Sequence, residues 1–273
     1  MSRISERFAE LKKAGRAAFV PFITAGDPDP ETSFALMEKL PAMGADLIEL
    51  GAPFSDPMAD GPAVQASSLR ALKAGASMLK TLEMVRKFRK ADQKTPVILM
   101  GYYNPIHHYG TAKFARDAGA AGVDGLITVD LPPEEDEVLR APAKEHGIDI
   151  VRLLAPTTDD HRLKTVLTGA SGFLYYVSVA GVTGTKSFEP GEVAAALKRI
   201  HAASPLPCCV GFGIRTPEQA AQIARIADGA VVGSAIVSRI AALSANGAKR
   251  EELVKDVAGF CKSLADSVHA ART

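Results

Sequence analysis

The chain has no tryptophan, only three cysteines, and no apolar run near the ~20 residues a membrane-spanning helix requires. Lys and Arg total 32 against 31 Asp and Glu, a formal net charge of +1. No basic excess points to nucleic acid, and no like-charge run points to an interaction tail. The start, Met1 to Phe8, is charged and amphipathic and lacks the apolar stretch of a secretion signal. Cys208 and Cys209 are adjacent, so on a strand they face opposite ways and make poor partners for one bridge or one metal. With Cys261 they are expected to be reduced, buried thiols in a cytoplasmic protein. The six histidines form no His-x-x-x-His helical pair and no His/carboxylate cluster at a strand end, so no metal is expected. His107-His108 is expected on a surface loop. A Gly-x-Ser-x-Gly elbow and a strand-end lysine suited to a Schiff base are also missing.

What remains is a soluble globular composition, 47% apolar and 23% charged. Eight short apolar runs begin near Ala18, Leu47, Pro96, Gly125, Ile148, Gly172, Pro207 and Gly229. Their near-continuous apolar character suits parallel strands covered on both faces. Helix signals lie between them. Asp29-Pro30-Glu31 and Thr216-Pro217-Glu218 are caps followed by proline at the first helical position. Leu131-Pro132-Pro133-Glu134-Glu135 is read as opening a third helix, and a long helix from about Lys249 to Val268 closes the chain. Eight strand-helix units with no composition break predict one (β/α)8 barrel domain over residues 1–273, with an N-terminal helix and extra helices in the βα loops. An open doubly wound sheet is the alternative. Against it, no Gly-x-Gly-x-x-Gly follows the first strand, and eight strands would make a very wide sheet.

Two carboxylates stand out. Glu49 interrupts the apolar run Ala45 to Gly51, and Asp60 follows in the Pro/Gly-punctuated loop Pro53 to Pro62. A charged, unpaired carboxylate on a buried strand costs several kcal/mol. Its usual return is a perturbed pKa in a cleft, although a salt-bridged core acid and a turn-forming aspartate would explain the same letters. Glycine-rich turns follow the last three strands: Ser178 to Thr185, Gly211-Phe212-Gly213-Ile214 and Gly233-Ser234-Ala235. Tight βα turns would use the same residues. Three at consecutive strand ends, with a hydroxyl at Ser234, point to a phosphate cup built from backbone N–H groups. The expected chemistry is proton transfer by carboxylates on a phosphorylated substrate.

At this point Pro53-Phe54-Ser55-Asp56-Pro57-Met58-Ala59-Asp60-Gly61-Pro62 resembles the signature of the tryptophan synthase alpha subunit family. Further matches run in order along the chain: Phe22 to Pro28, Gly101 to Pro105, Asp130-Leu131-Pro132, Ala180 to Gly184 and Gly211 to Ile214. The resemblance implies a TIM barrel lyase of tryptophan biosynthesis that cleaves indole-3-glycerol phosphate to indole and glyceraldehyde 3-phosphate. It makes Glu49 the general acid/base and Asp60 the partner of the indole N–H. Tyr175 and Thr183 then support them. Gly184, Gly213, Gly233 and Ser234 match the phosphate cup. Phe22, Met100, Ile127, Val129, Leu153 and Phe212 match the indole slot. The family's partner is a beta subunit in an alpha2beta2 heterotetramer, which takes the indole through a tunnel. The partner holds pyridoxal phosphate, so no cofactor is expected on this chain. Asp56-Pro57 and Tyr103-Asn104-Pro105 match partner-contact loops. Val179 and Gly101 depart from residues common in the family. Glu49's apolar position should raise its pKa, and Asp60 on a polar loop should stay ionised. Two other readings remain: a different phosphate-binding barrel, such as a sugar-phosphate isomerase or a stand-alone indole lyase, and a non-catalytic activator of the partner.

Overall fold

Nine parallel strand segments form one sheet in the computed structural model, which describes residues 2–177, 190–211 and 213–272. They are β1 (Ala18–Thr24), β2 (Ile48–Gly51), β3 (Val97–Gly101), β4 (Gly125–Thr128), β5 (Asp149–Ile150), β6 (Arg152–Leu154), β7 (Leu174–Val177), β8 (Cys208–Gly211) and β9 (Gly229–Val232). The order is β5-β4-β3-β2-β1-β9-β8-β7-β6, so the sheet curls into a nearly closed (β/α)8 barrel. The fifth run, expected as one strand, is two. β5 pairs with β4 and β6 with β7, and Val151 between them turns the chain from one neighbour to the other.

Period-two alternation sorts the strand residues. Ala18, Val20, Leu47, Ile98, Ile127, Val151, Tyr175, Cys209 and Val231 share an inner cluster, while their neighbours Phe19, Ile48, Leu99, Leu126, Cys208 and Ala230 pack outward against the helices. Cys208 and Cys209 thus face opposite ways, and all three cysteines are free and buried. The N-terminal helix Arg3–Lys13, capped by Ser2, drives Ile4, Phe8 and Leu11 into the inner cluster and so fills the end of the barrel where the strands begin.

The proline-led helices occur as read. Asp29 caps Pro30–Lys39, and Thr216 makes a capping box on Pro217–Ile226 with Gln219. The last helix is Arg250–His269. Two readings need correction. Pro132 to Glu135 form turns, and the helix begins at Glu137 (Glu137–Glu145), because consecutive prolines hold the preceding residues out of the helical region. Tyr103 to Tyr109, expected as loop, is a short helix that carries His107 and His108 on its exposed side. Carboxylate–histidine pairing was also missed: His269 Nε2 lies 2.8 Å from Asp46 at the start of β2, brought there from 223 residues away. Among the described residues no cluster could hold a metal ion, and no helix is long and apolar enough to cross a membrane.

Candidate active site

Glu49 is the second residue of β2, hydrogen-bonded in register between Phe22 of β1 and Ile98 of β3. Alternation sends Leu50 to the outer layer and Glu49 inward, where it is 1% exposed. Its Oε1 has no hydrogen-bond partner among the described residues. Burial, then the nearby charge of Asp60, pushes its carboxyl up to about 8.

Asp60 arrives from the loop that follows β2. The loop turns through Asp60 N–H donating to Pro57 O at 3.0 Å and ends at Gly61, the cap of helix Pro62–Lys73. Gln65 Nε2 reaches back 2.8 Å to Asp60 O. The helix is pinned to the end of β1 by Thr24–Ser67 at 2.6 Å and to the turn beyond it by a bidentate Arg70–Asp27 pair at 2.7 and 2.9 Å. Asp60 is therefore not a solvated loop acid. It is 8% exposed, and burial raises its carboxyl to about 6 against a lowering hydrogen bond from Tyr102. Near neutral pH the pair holds one proton, on Glu49, and one charge, on Asp60.

Tyr102 went unnoticed in the sequence. It follows β3 at the start of helix Tyr103–Tyr109, lies tilted against Phe54 with ring centroids 5.4 Å apart, and accepts the Ala59 N–H at 3.0 Å. Its hydroxyl ties the Asp60 carboxyl to the loop that carries it. The signal was a buried aromatic immediately after a strand end, indistinguishable in sequence from a core residue.

Glu49, Asp60, Phe22, Met100, Tyr175, Gly213, Gly233 and Ser234 line one small cavity of about 60 Å³, so the structure brings the predicted acids and the predicted cup together. Gly213 has φ +81, a conformation suited to glycine. Gly233 carries a different constraint, since a Cβ there would stand 3.3 Å from the Phe22 Cβ. Ser234 begins helix Ser234–Ala245, whose N-terminus opens on this cavity. A larger cavity of about 720 Å³ adjoins it through Asp60, Met100 and Tyr175, and includes Val129 and Leu153. Ile127 lies deeper, packed in the inner cluster at 2% exposure, and lines neither cavity. Tyr175 is buried beside Gly211, where an added Cβ would collide with its hydroxyl. Its phenol is pushed well up, by burial and then by Glu49. Thr183, Gly184, Val179 and Phe212 lie outside the described residues.

Around the mouth, Asp56 and Asn104 are exposed, but Pro57 is buried beneath its own loop. Met58 beside it is 72% exposed, a large apolar side chain the sequence reading passed over. The site thus offers an acid able to give and retake a proton, a buried negative charge, an apolar slot and a helix N-terminus.

Comparison with known proteins bears on the family and the fold. The family described as tryptophan synthase alpha chain matches residues 8–269. A tryptophan synthase alpha chain of Gluconacetobacter diazotrophicus is 55% identical over 274 residues, covering 100% of both chains. The crystal structure of tryptophan synthase subunit alpha from Legionella pneumophila superposes with a TM-score of 0.90 at 42% identity, covering 98% of each chain. A structure of Mycobacterium tuberculosis tryptophan synthase gives 0.88 at 36% identity, again with 98% of each chain covered. Matched along its whole length in sequence and in fold, this chain belongs to the tryptophan synthase alpha chain family.

Proposed function

We propose that this enzyme subunit performs the family's aldol cleavage of indole-3-glycerol phosphate as a carbon–carbon lyase, with Glu49 and Asp60 as its catalytic pair. The observation that carries the reading is the buried Glu49 carboxyl, without a hydrogen-bond partner on Oε1 and held near 8 beside Asp60. Breaking the bond from the indole ring to the glycerol chain requires a proton on ring carbon C3 and loss of one from the adjacent glycerol hydroxyl. Protonated Glu49 gives the first and, once ionised, takes the second, so one group returns to its starting state. Ionised Asp60 accepts the indole N–H and stabilises the positive charge that develops on the ring at C3 protonation. Gly213, Gly233 and Ser234 receive the phosphate at the helix N-terminus. Phe22, Met100, Val129 and Leu153 hold the rings, with Ile127 supporting them from below.

Exposed Asp56, Met58 and Asn104 form the rim against which a beta subunit docks, in an alpha2beta2 assembly. Pyridoxal phosphate belongs to that partner, and the cytoplasm is the setting of the pathway. The test is indole release from indole-3-glycerol phosphate by the purified chain, alone and with a pyridoxal-phosphate beta subunit. Release that rises on adding the partner is expected. Full turnover without it would mark a stand-alone lyase, and no release in either case would leave only an activator of the partner.

A further inference from the structure

The 720 Å³ cavity does not end at the indole slot. Its walls include Met100, Val129 and Leu153 inside the barrel, and also Leu139, Leu154 and Val166 from the layer between sheet and helices. It crosses the barrel wall, and the register shows where. β4 pairs with the fifth run only at Gly125–Asp149 and Leu126–Ile150. The last bond across is Val151 N–H to Leu126 O, 2.9 Å, after which β6 turns to β7. Beyond that point, among the described residues, the strand pairing of Ile127 and Thr128 is to β3 alone, and the sheet parts. Arg152 lines the cavity on its outer side, at 6% exposure. One of its terminal nitrogens is held by Asp136 and by Thr168 O, but its Nε has no partner among the described residues. A buried guanidinium N–H left unpaired is costly, and a hydrogen-bond acceptor in the cavity would relieve it.

Resting on the cleavage reading above, we propose that this lateral chamber admits a substituent on the benzo ring of the indole, best one bearing an acceptor oxygen, so that the chain processes ring-substituted indole glycerol phosphates. Size supports this. A cavity of roughly 150 Å³ holds a benzene ring, so the 720 Å³ here exceeds what a two-ring slot fills. The glycerol phosphate end occupies the adjoining small cavity at Gly213, Gly233 and Ser234.

The test runs the proposed cleavage backwards. Indole C3 adds to the aldehyde carbon of glyceraldehyde 3-phosphate, the C3 proton leaves, and the aldehyde oxygen gains one. Rates are compared for indole, the four benzo-ring methoxyindoles and the matching ethylindoles, using the complex with the beta subunit. At least one methoxy isomer is expected within about tenfold of indole in kcat/KM, and none within that range overturns the proposal. Val166→Phe, which fills the chamber, should slow that isomer by a further tenfold or so while changing indole less than about twofold. Equal losses in the folded variant overturn it. Leu139→Phe replaces Val166→Phe if the latter does not fold. A methoxy isomer no better than its ethyl counterpart would overturn the role given to Arg152. If indole itself is not condensed, the cleavage reading fails instead, so the two failures are distinguishable.

Discussion

Asp46 and Glu49 are three residues apart on the same stretch of chain, and both are buried, yet their surroundings are opposite. Asp46, just before β2 at the end of the barrel where strands begin, is saturated. Its carboxylate accepts from Arg7 Nη2 at 2.8 Å, Arg16 Nη2 at 3.0 Å and Phe19 N–H at 2.8 Å, and it meets His269 at 2.8 Å. Asp124, before β4, is treated alike by Arg3, Arg89 and the Val97 N–H. Glu49, nearer the other end, has among the described residues no cation paired with it and an orphan oxygen. Saturated charge fixes the helix Arg3–Lys13 and the last helix to the strands. Unsaturated charge at the opposite end is left reactive, so the barrel separates holding from chemistry along each strand.

The largest effect should come from Glu49→Gln. The amide keeps the size and loses the proton, so indole release should fall by the roughly 10²–10⁴-fold that general acid–base catalysis contributes. Substrate binding should persist, measurable by titration calorimetry; a drop under about tenfold would remove Glu49 from the mechanism. The same variant should be the more stable protein in alkaline buffer. Glu49's folded pKa, about 8, is raised above its ordinary 4.5, so wild-type stability is intact below about 4.5 and is lost progressively as pH rises toward 8. Thermal melts of variant and wild type should coincide in acid and separate, in the variant's favour, across that window. A gap that shrinks with rising pH would contradict the buried, unpaired carboxyl.

Asp46→Asn tests the other side. Removing one member of a buried ionic cluster costs several kcal/mol, and the lower end, about 3 kcal/mol, applies because the arginines reach solvent; Arg7 and Arg16 side chains are 33% and 29% exposed. Urea unfolding should show that loss, while kcat in the folded protein changes less than about twofold. A large fall in kcat would mean that the two ends are coupled.

These two acids also mark how far the sequence could be read. Glu49 was legible because a carboxylate inside an apolar run contradicts its surroundings, and Asp60 because proline and glycine fence it. The barrel was legible from eight apolar runs with caps between them. The split at Val151 was hidden, because one continuous run of letters serves both halves and only pairing with different neighbours divides it. The burial of Asp60 was hidden too: its loop is polar in sequence, and the Arg70–Asp27 and Thr24–Ser67 ties that fold the following helix over it join residues 43 apart. His269 and Asp46 meet across 223 residues, beyond any local pattern.

The smallest expected effect sharpens the comparison most, because it asks whether Asp60 stands nearer to saturated Asp46 or to bare Glu49. With Asp60 near 6 and Glu49 near 8, kcat/KM should follow a bell. It falls in acid as Asp60 gains a proton and falls in base as Glu49 loses one. Tyr102 gives Asp60 a lowering interaction. Tyr102→Phe removes the hydroxyl and keeps the ring against Phe54. A hydrogen bond to a charged group contributes about 1.5–3 kcal/mol, so the acid limb should move up by about one to two pH units, with the basic limb unmoved. Near neutral pH the rate should fall about two- to tenfold, and it should recover relative to wild type on the alkaline side of the shifted limb. An even loss at every pH would mean that Tyr102 only packs the loop, and Asp60 would then be as unsupported as Glu49.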